Sequence, residues 1–527
     1  MFHRKISKFL IINIYTTSKE LFMKNTKKLS AIILSAIMLA TGCADNTAPG
    51  GSTEIKESAA NSSDNNESNG GNTDTAAESK SVKDVIGNIK VDTKVKFLGW
   101  YDLNNSNIAD TYKKLFGVPQ KNPEGYETDH SGNDTEPFID VYLSSYVDRY
   151  YTLAKLIGSG DSPDAFPAEI SRMPCSVGAD KLFQPIGDII DFETEEFAPY
   201  SKIQQSLKYI GNDYVPIFSS TPRSLLWYRS SVVKESGLED PWELYEKNEW
   251  TWSKFLSMCE SFSSSEKKKY GVDGYFVERE ILSTVGKGLI GIEDDLLTSN
   301  ADDEKIISAM DYLRQFATSQ KKLRYPREEE NGWSPSDSEW ANGNTLFYQD
   351  GLWRYDETWR LYKKKNKWSD DEINFVPFPR CDDEQSYYQG YNCAENTYML
   401  PIGSKNPEGY KALVYSAAYL YNDSSAQTRL REEKKTEYDW NDRLLDRMDK
   451  INSPDAFEWV VDCRDYFREV PPTASTDVIV DILSESSYVH GKDYRTFITE
   501  ESPDIIEELD KATDRINKSA ENIGTEQ

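Results

Sequence analysis

Residues 333–359 read WSPSDSEWANGNTLFYQDGLWRYDETW and place four tryptophans, Trp333, Trp340, Trp353 and Trp359, within one short stretch. The pattern predicts a polar turn over 341–344, a strand over Thr345 to Tyr348, a second turn over 349–351 and a helix from Trp353. Asn342-Gly343 and Asp350-Gly351 offer the positive-φ positions that tight turns need. Trp353 would then stand at a strand end, where open α/β sheets bind ligands. An indole face there can stack on the C–H face of a sugar ring. The competing role for each of these tryptophans is core packing.

A chain of 527 residues is long enough for two or more lobes, and 32 Tyr with 12 Trp are enough to line a polar-ligand cleft. The formal charge is −28, with no basic patch outside the N-terminus, which argues against nucleic-acid binding. Three histidines (His3, His130, His490) lie far apart in sequence, leaving little material for a metal site or a triad. No CxxC occurs among the six cysteines, so zinc-ribbon and thioredoxin-like readings fail. One disulfide, Cys381 with Cys393, stays open as a possibility. No metal, cofactor or catalytic residue is expected.

The N-terminus carries an address. Lys24 to Lys28 is basic, and Leu29 to Leu39 is apolar, long enough for a signal peptide and too short to span a bilayer. Ala40-Thr41-Gly42-Cys43 resembles a bacterial lipobox, whose cysteine is lipidated; it departs from that pattern in having Ala40 where Leu is preferred. Met23 is the expected start, residues 1–42 a signal peptide, and Cys43 the lipid anchor. Residues 43–91 follow as a linker, rich in Ser, Asn, Gly, Asp and Glu up to about residue 80; that part cannot bury enough apolar surface to fold.

Further on, Val95 to Trp100 reads as a buried strand, Ile108 to Phe116 as a helix and Asp140 to Leu143 as a second strand. Apolar residues at 147, 150, 151, 154 and 157 have helical spacing. Gly158-Ser-Gly160 stops that helix before a short strand ending at Glu169, which gives a βαβ crossover. A carboxylate at that strand end can accept hydrogen bonds from sugar hydroxyls. Ser224 to Tyr228 reads as a strand, 238–242 as a loop, and Trp252 to Phe262 as a helix capped by Thr251.

Six short motifs in order carry a resemblance. They are GDSPD at 160–164, LWYRS at 226–230, GLEDPW with the later TW of 251–252, ANGNTLFYQDGLW at 341–353, VPFP at 376–379 and YMLPIGSKNPEG at 398–409. Together, behind a lipobox and a polar tether, they make the chain similar to the carbohydrate-type extracellular solute-binding lipoproteins of bacterial ABC importers. The resemblance spans roughly residues 92–420; residues 421–515 are charged and helical in pattern.

That resemblance implies an α/β, two-lobed periplasmic-binding-protein-like fold of type II, with a ligand cleft between lobes joined by a hinge. Residues 92–217 with 380–420 would form one lobe, and 218–379 with 421–515 the other. Carried over motif by motif, the ligand-binding residues would be Trp100, Tyr101, Asp102, Glu169, Tyr275, Trp353 and, from a glycine turn over 389–392, Tyr391 and Asn392. Trp333 and Trp340 would flank the same cleft, although for Tyr275 and Trp340 core packing is the favoured role. The implied partners are a carbohydrate and ABC permease subunits, with the chain a monomer. No GxxxxGK[ST] loop occurs, so the chain is not the motor. Binding of a peptide or polyamine, a glycoside hydrolase and an adhesin are the alternatives.

Overall fold

The computed structural model describes residues 80–91, 93–117, 139–326, 335–392, 397–465 and 476–521. Cys43, the signal segment, Trp333 and Cys393 lie outside them. The first strand, β1 (Val95–Gly99), is buried along its whole length, as its near-continuous apolar run requires of a parallel strand covered on both faces. β2 (Ile139–Leu143) pairs with it in parallel, from Val95 opposite Ile139 to Gly99 opposite Leu143. On the other side, a parallel bridge joins Phe97 to Ala165, leading into β3 (Phe166–Pro167). Helix α1 (Asn107–Phe116) follows β1, and α2 (Arg149–Gly158) makes the crossover from β2 to β3.

The chain then runs through β4 (Thr221–Pro222) into β5 (Leu225–Arg229). Residues read as a loop at 238–242 instead begin α3 (Pro241–Glu246): Asp240 accepts from the Trp242 and Glu243 amides, and Pro241 takes the first helical turn. Helix α4 (Trp252–Phe262) has Thr251 as its cap, as the sequence predicts. Strands β6 (Tyr270–Gly274), β7 (Ile290–Glu293), β8 (Leu296–Ser299), β9 (Thr345–Asp350) and β10 (Ile373–Val376) follow. The second sheet has the order β10-β5-β9-β6, and β7-β8 is a separate hairpin.

Residues 389–392, read as a glycine turn, belong to a strand, β11 (Tyr388–Asn392). β12 (Tyr398–Met399) returns to pair with β3 in the first sheet, and α5 (Pro407–Asn422) packs against α1. The C-terminal part is not all helical: β13 (Glu458–Val460) joins β11 and β4 in a three-stranded sheet of order β13-β11-β4. Helix α6 (Asp504–Glu521) ends the described chain.

Side-chain alternation sorts the core. Leu225 and Trp227 on β5 face one cluster, with Trp340, Tyr355, Trp359 and Trp440. Leu226 and Tyr228 face another, which also takes Leu98, Leu153 and Phe166 from the first sheet. A third cluster packs Val95, Phe97, Ile108, Tyr112 and Tyr410 around the other face of β1.

The resemblance motifs fasten this frame. Asp164 accepts from the Lys96 amide at 2.9 Å and from Ser404 Oγ at 2.7 Å, tying the GDSPD turn to the YMLPIGS loop. Arg229 binds Glu372 at 2.6 Å and the Ala341 carbonyl at 2.7 Å. The Gln389 amide brackets Phe378, accepting from its N–H at 3.1 Å and donating to its C=O at 2.9 Å. Among the described residues, Cys175, Cys259, Cys381 and Cys463 are buried free thiols, and no helix is long and apolar enough to cross a membrane.

Candidate functional site

The C-terminal ends of β1, β2 and β3 open on a cavity of about 220 Å³. Trp100 follows β1, Tyr146 follows β2, and Glu169 follows β3; all three line it. Arg223, between β4 and β5, enters from the side of the second sheet. Tyr391 and Asn392 come from β11, and Val461, Asp462 and Asp465 from the segment after β13. A second cavity, of about 370 Å³, lies beside Tyr387, Phe457 and Trp459 and holds none of the predicted residues. Size alone would favour the second; the chemistry of the walls favours the first.

The aromatic wall of the first cavity is built on one arginine. Trp100 and Tyr146 meet edge to face, centroids 5.1 Å apart at 89°. The buried Arg149 guanidinium lies 3.8 Å from the Tyr146 ring centroid, 4.9 Å from that of Tyr150 and 5.8 Å from that of Trp100. The same guanidinium donates to both carboxylate oxygens of Glu169, from Nε at 2.9 Å and Nη2 at 2.8 Å. Burial works against the Arg149 charge, but the hydrogen bond and charge of Glu169 outweigh it, and its pKa is raised. Arg172 lies 4.0 Å from the other ring contact, Tyr150, whose phenol is pushed well up by burial.

The acidic wall is equally committed. Asp465 receives Arg279 Nη1 at 2.6 Å. Burial alone would raise its pKa; Arg279 and a hydrogen bond from Ser171 hold it far below the usual carboxylate range. Asp462 is fully buried and is held low by Arg464 and Arg279 against the same burial cost. Arg223 donates through Nε to Glu280 at 2.7 Å and through Nη2 to Ser283 Oγ at 3.2 Å. Gly390 makes room for that pair: a methyl there would lie 2.6 Å from Arg223 Nη2 and 2.8 Å from Glu280 Oε2.

Of the predicted residues, Trp100, Glu169, Tyr391 and Asn392 thus share one cavity. Tyr391 is mostly buried, its hydroxyl donating to the Ser219 carbonyl at 2.9 Å. Tyr101 and Asp102 do not line it. Tyr101 packs on Phe97 at 5.4 Å, and Asp102 caps the turn Leu103–Asn105 by accepting from the Asn104 amide at 3.0 Å.

Trp340 is a core residue and does not line the cavity. It is 0% exposed, packs on Trp359 with ring centroids 4.1 Å apart, and its indole N–H donates to the Trp227 carbonyl at 3.1 Å. Tyr275 and Trp353 are 46% and 47% exposed and follow β6 and β9, at the sheet end from which Arg223 departs. Neither lines the cavity. Gly343 has φ +74° as its turn requires, but Gly351 has no positive φ. Gly351 is needed instead because the Trp353 indole folds over it: an added methyl would sit 2.6 Å from Cδ1.

Sequence reading missed Tyr146, Arg149, Arg172, Arg223, Asp462 and Asp465. None lies in a recognisable ligand motif. The one signal was the charged run Asp462-Cys463-Arg464-Asp465 directly after an apolar strand, which is unusual unless the charges pair. Among the described residues no cluster of His, Cys, Asp and Glu could hold a metal ion.

Residues 105–426, more than half the chain, match the family of bacterial extracellular solute-binding proteins. The chain belongs to that family. No curated protein matches this solute-binding protein. Solved structures share its two-lobed α/β fold at low identity. The sugar-binding protein MalE from Xanthomonas citri is 15% identical, covering 82% of this chain and 100% of its own, with a TM-score of 0.52. An extracellular solute-binding protein from Staphylococcus aureus, in complex with maltose, is 12% identical over 80% of this chain and 98% of its own, TM-score 0.51. The substrate-binding protein Lmo0181 from Listeria monocytogenes, in complex with cycloalternan, is 13% identical over 80% and 99%, TM-score 0.50.

Proposed function

We propose that this solute-binding protein is the lipid-anchored receptor of an ABC importer, capturing a sugar or oligosaccharide outside the cell and handing it unaltered to a membrane permease. The observation that carries this reading is the wall formed by Trp100 and Tyr146, backed by the Arg149–Glu169 fork. Flat rings for C–H faces stand beside fixed polar groups for hydroxyls, which is what a sugar pocket needs. Tyr275 and Trp353, at the end of the second sheet, would take further rings of a longer ligand. Crossing strands β4 and β11 would serve as the hinge, so that the lobes part near residue 392 rather than 380. Ligand touching both lobes would favour the closed form by its differential affinity.

The carboxylates argue for capture over hydrolysis. A glycosidase keeps one carboxylic acid protonated to donate to the leaving oxygen. Here Asp462 and Asp465, both lining the cavity, are pulled down by arginines. Anchoring would come from Cys43, and the Asn- and Ser-rich segment after it would be the tether. The test is a thermal-shift screen of sugars, peptides and polyamines. A ligand at 100 times its dissociation constant adds about 2.7 kcal/mol. Stabilisation by saccharides, with no turnover on prolonged incubation, is expected. Stabilisation by peptides or polyamines alone would refute the sugar reading.

A further inference from the structure

The cavity's hydrogen-bonding capacity is lopsided. Its three lining carboxylates are already engaged by arginines: Glu169 by Arg149, Asp465 by Arg279, and Asp462 by Arg464. Their charges are thereby balanced within the protein, although lone pairs the arginines do not use can still accept from sugar hydroxyls. On the donor side, Arg223 spends Nε on Glu280 and Nη2 on Ser283, and among the described residues its Nη1 has no acceptor. The Asn392 side-chain amide is likewise without a partner among them.

Arg223 is also under-compensated. Burial and the neighbouring Arg279 outweigh the attraction of Glu280 and Asp462, so its pKa is lowered. Asp462 is shared with Arg279 and Arg464, which leaves Glu280 as the direct counter-ion of Arg223. A guanidinium with one free edge, facing a cavity whose carboxylates are taken, suits a ligand that brings its own negative charge.

We propose that the ligand is a carboxylated saccharide, of the uronic-acid class, and that Arg223 Nη1 with the Asn392 amide receives its carboxylate. The inference rests on the sugar-binding reading above. The chain's charge of −28 does not oppose it: exposed charges farther than the screening length, about 8 Å at physiological salt, act weakly on a group inside the cavity.

The experiment compares oligogalacturonate with its carboxyl-reduced, neutral counterpart by calorimetry, with a sulfated sugar as a third arm. The wild type is expected to bind the uronate at least ten-fold more tightly, and the ratio is expected to shrink as salt is raised. Arg223→Gln should bring the ratio toward one. Because that change strands Glu280, the double variant Arg223→Gln with Glu280→Gln is measured alongside; it removes the cation without leaving a buried lone carboxylate. Equal or tighter binding of the neutral sugar by the wild type overturns the inference and leaves sugar binding intact. Tighter binding of the sulfated sugar overturns the assignment to a carboxylate. No response to any saccharide overturns both readings.

Discussion

Asp350 ends β9 inside the protein, and its carboxyl is pushed from an ordinary 3.8 up to about 6. Burial is the main cause; the Gly351 amide, donating at 2.8 Å, and Arg354, at 3.5 Å, pull the other way without cancelling it. The folded state therefore holds this proton more tightly than the unfolded chain. Stability from this group is fully present below pH 4 and is lost as pH rises toward 6. A displacement of about two pH units corresponds to about 3 kcal/mol, an upper figure because the site can relax. Asp350→Asn keeps the oxygen that accepts from Gly351 and abolishes the titration. Arg354 keeps its second partner, Asp337. The variant should then gain on the wild type by about 1–3 kcal/mol between pH 4 and pH 7, measured as the difference in urea unfolding free energy. Other titrating groups cancel in that difference. A wild-type-minus-variant difference that stays flat across the range would refute the reasoning.

Trp340→Ala should cost about 3–5 kcal/mol of stability by thermal denaturation, whereas Trp353→Ala should leave stability within about 0.5 kcal/mol. Trp353→Ala should instead weaken binding of long oligosaccharides by about 1–3 kcal/mol in calorimetry and leave short ones unaffected. Cys43→Ser should move the protein from the membrane fraction to the medium, and retention on the membrane would count against the anchor. Asn517, on α6, accepts from the Leu297 amide at 3.0 Å and the Tyr209 hydroxyl at 3.2 Å, and donates to the Leu297 carbonyl at 2.9 Å. Asn517→Ala should lower stability by about 1–3 kcal/mol in urea unfolding, since it orphans buried backbone groups of the β7-β8 hairpin.

Where the local signal and the tertiary demand coincide, the sequence was legible. β1 and β5 are apolar runs that end up buried on both faces, and Thr251 caps α4 as its side chain dictates. Reading failed where a residue serves a distant partner. Gly390 reads as a turn glycine, yet it sits in a strand, where the Arg223–Glu280 pair fills the space a side chain would need. Gly351 reads as a positive-φ position, yet it is small because Trp353 lies over it. Asp240-Pro241 carried a legible helix start that reading the segment as a loop passed over.

The same contrast separates what makes this chain a solute-binding protein from what selects its solute. The six motifs mostly hold the frame: Asp164 clamps β1 to the Ser404 loop, Arg229 pins β5 to Glu372, and the VPFP segment hangs on Gln389. Trp353 is a half-exposed aromatic among the motif residues, and it stands outside the cavity. The cavity's charged groups, Arg149, Glu169, Arg172, Arg223, Asp462 and Asp465, fall between the motifs or beyond residue 426, where the family match ends. These groups pair with one another rather than with the motif hydrogen bonds, so for the proposed site the choice of solute is to be read from the pairing of the arginines rather than from the motifs.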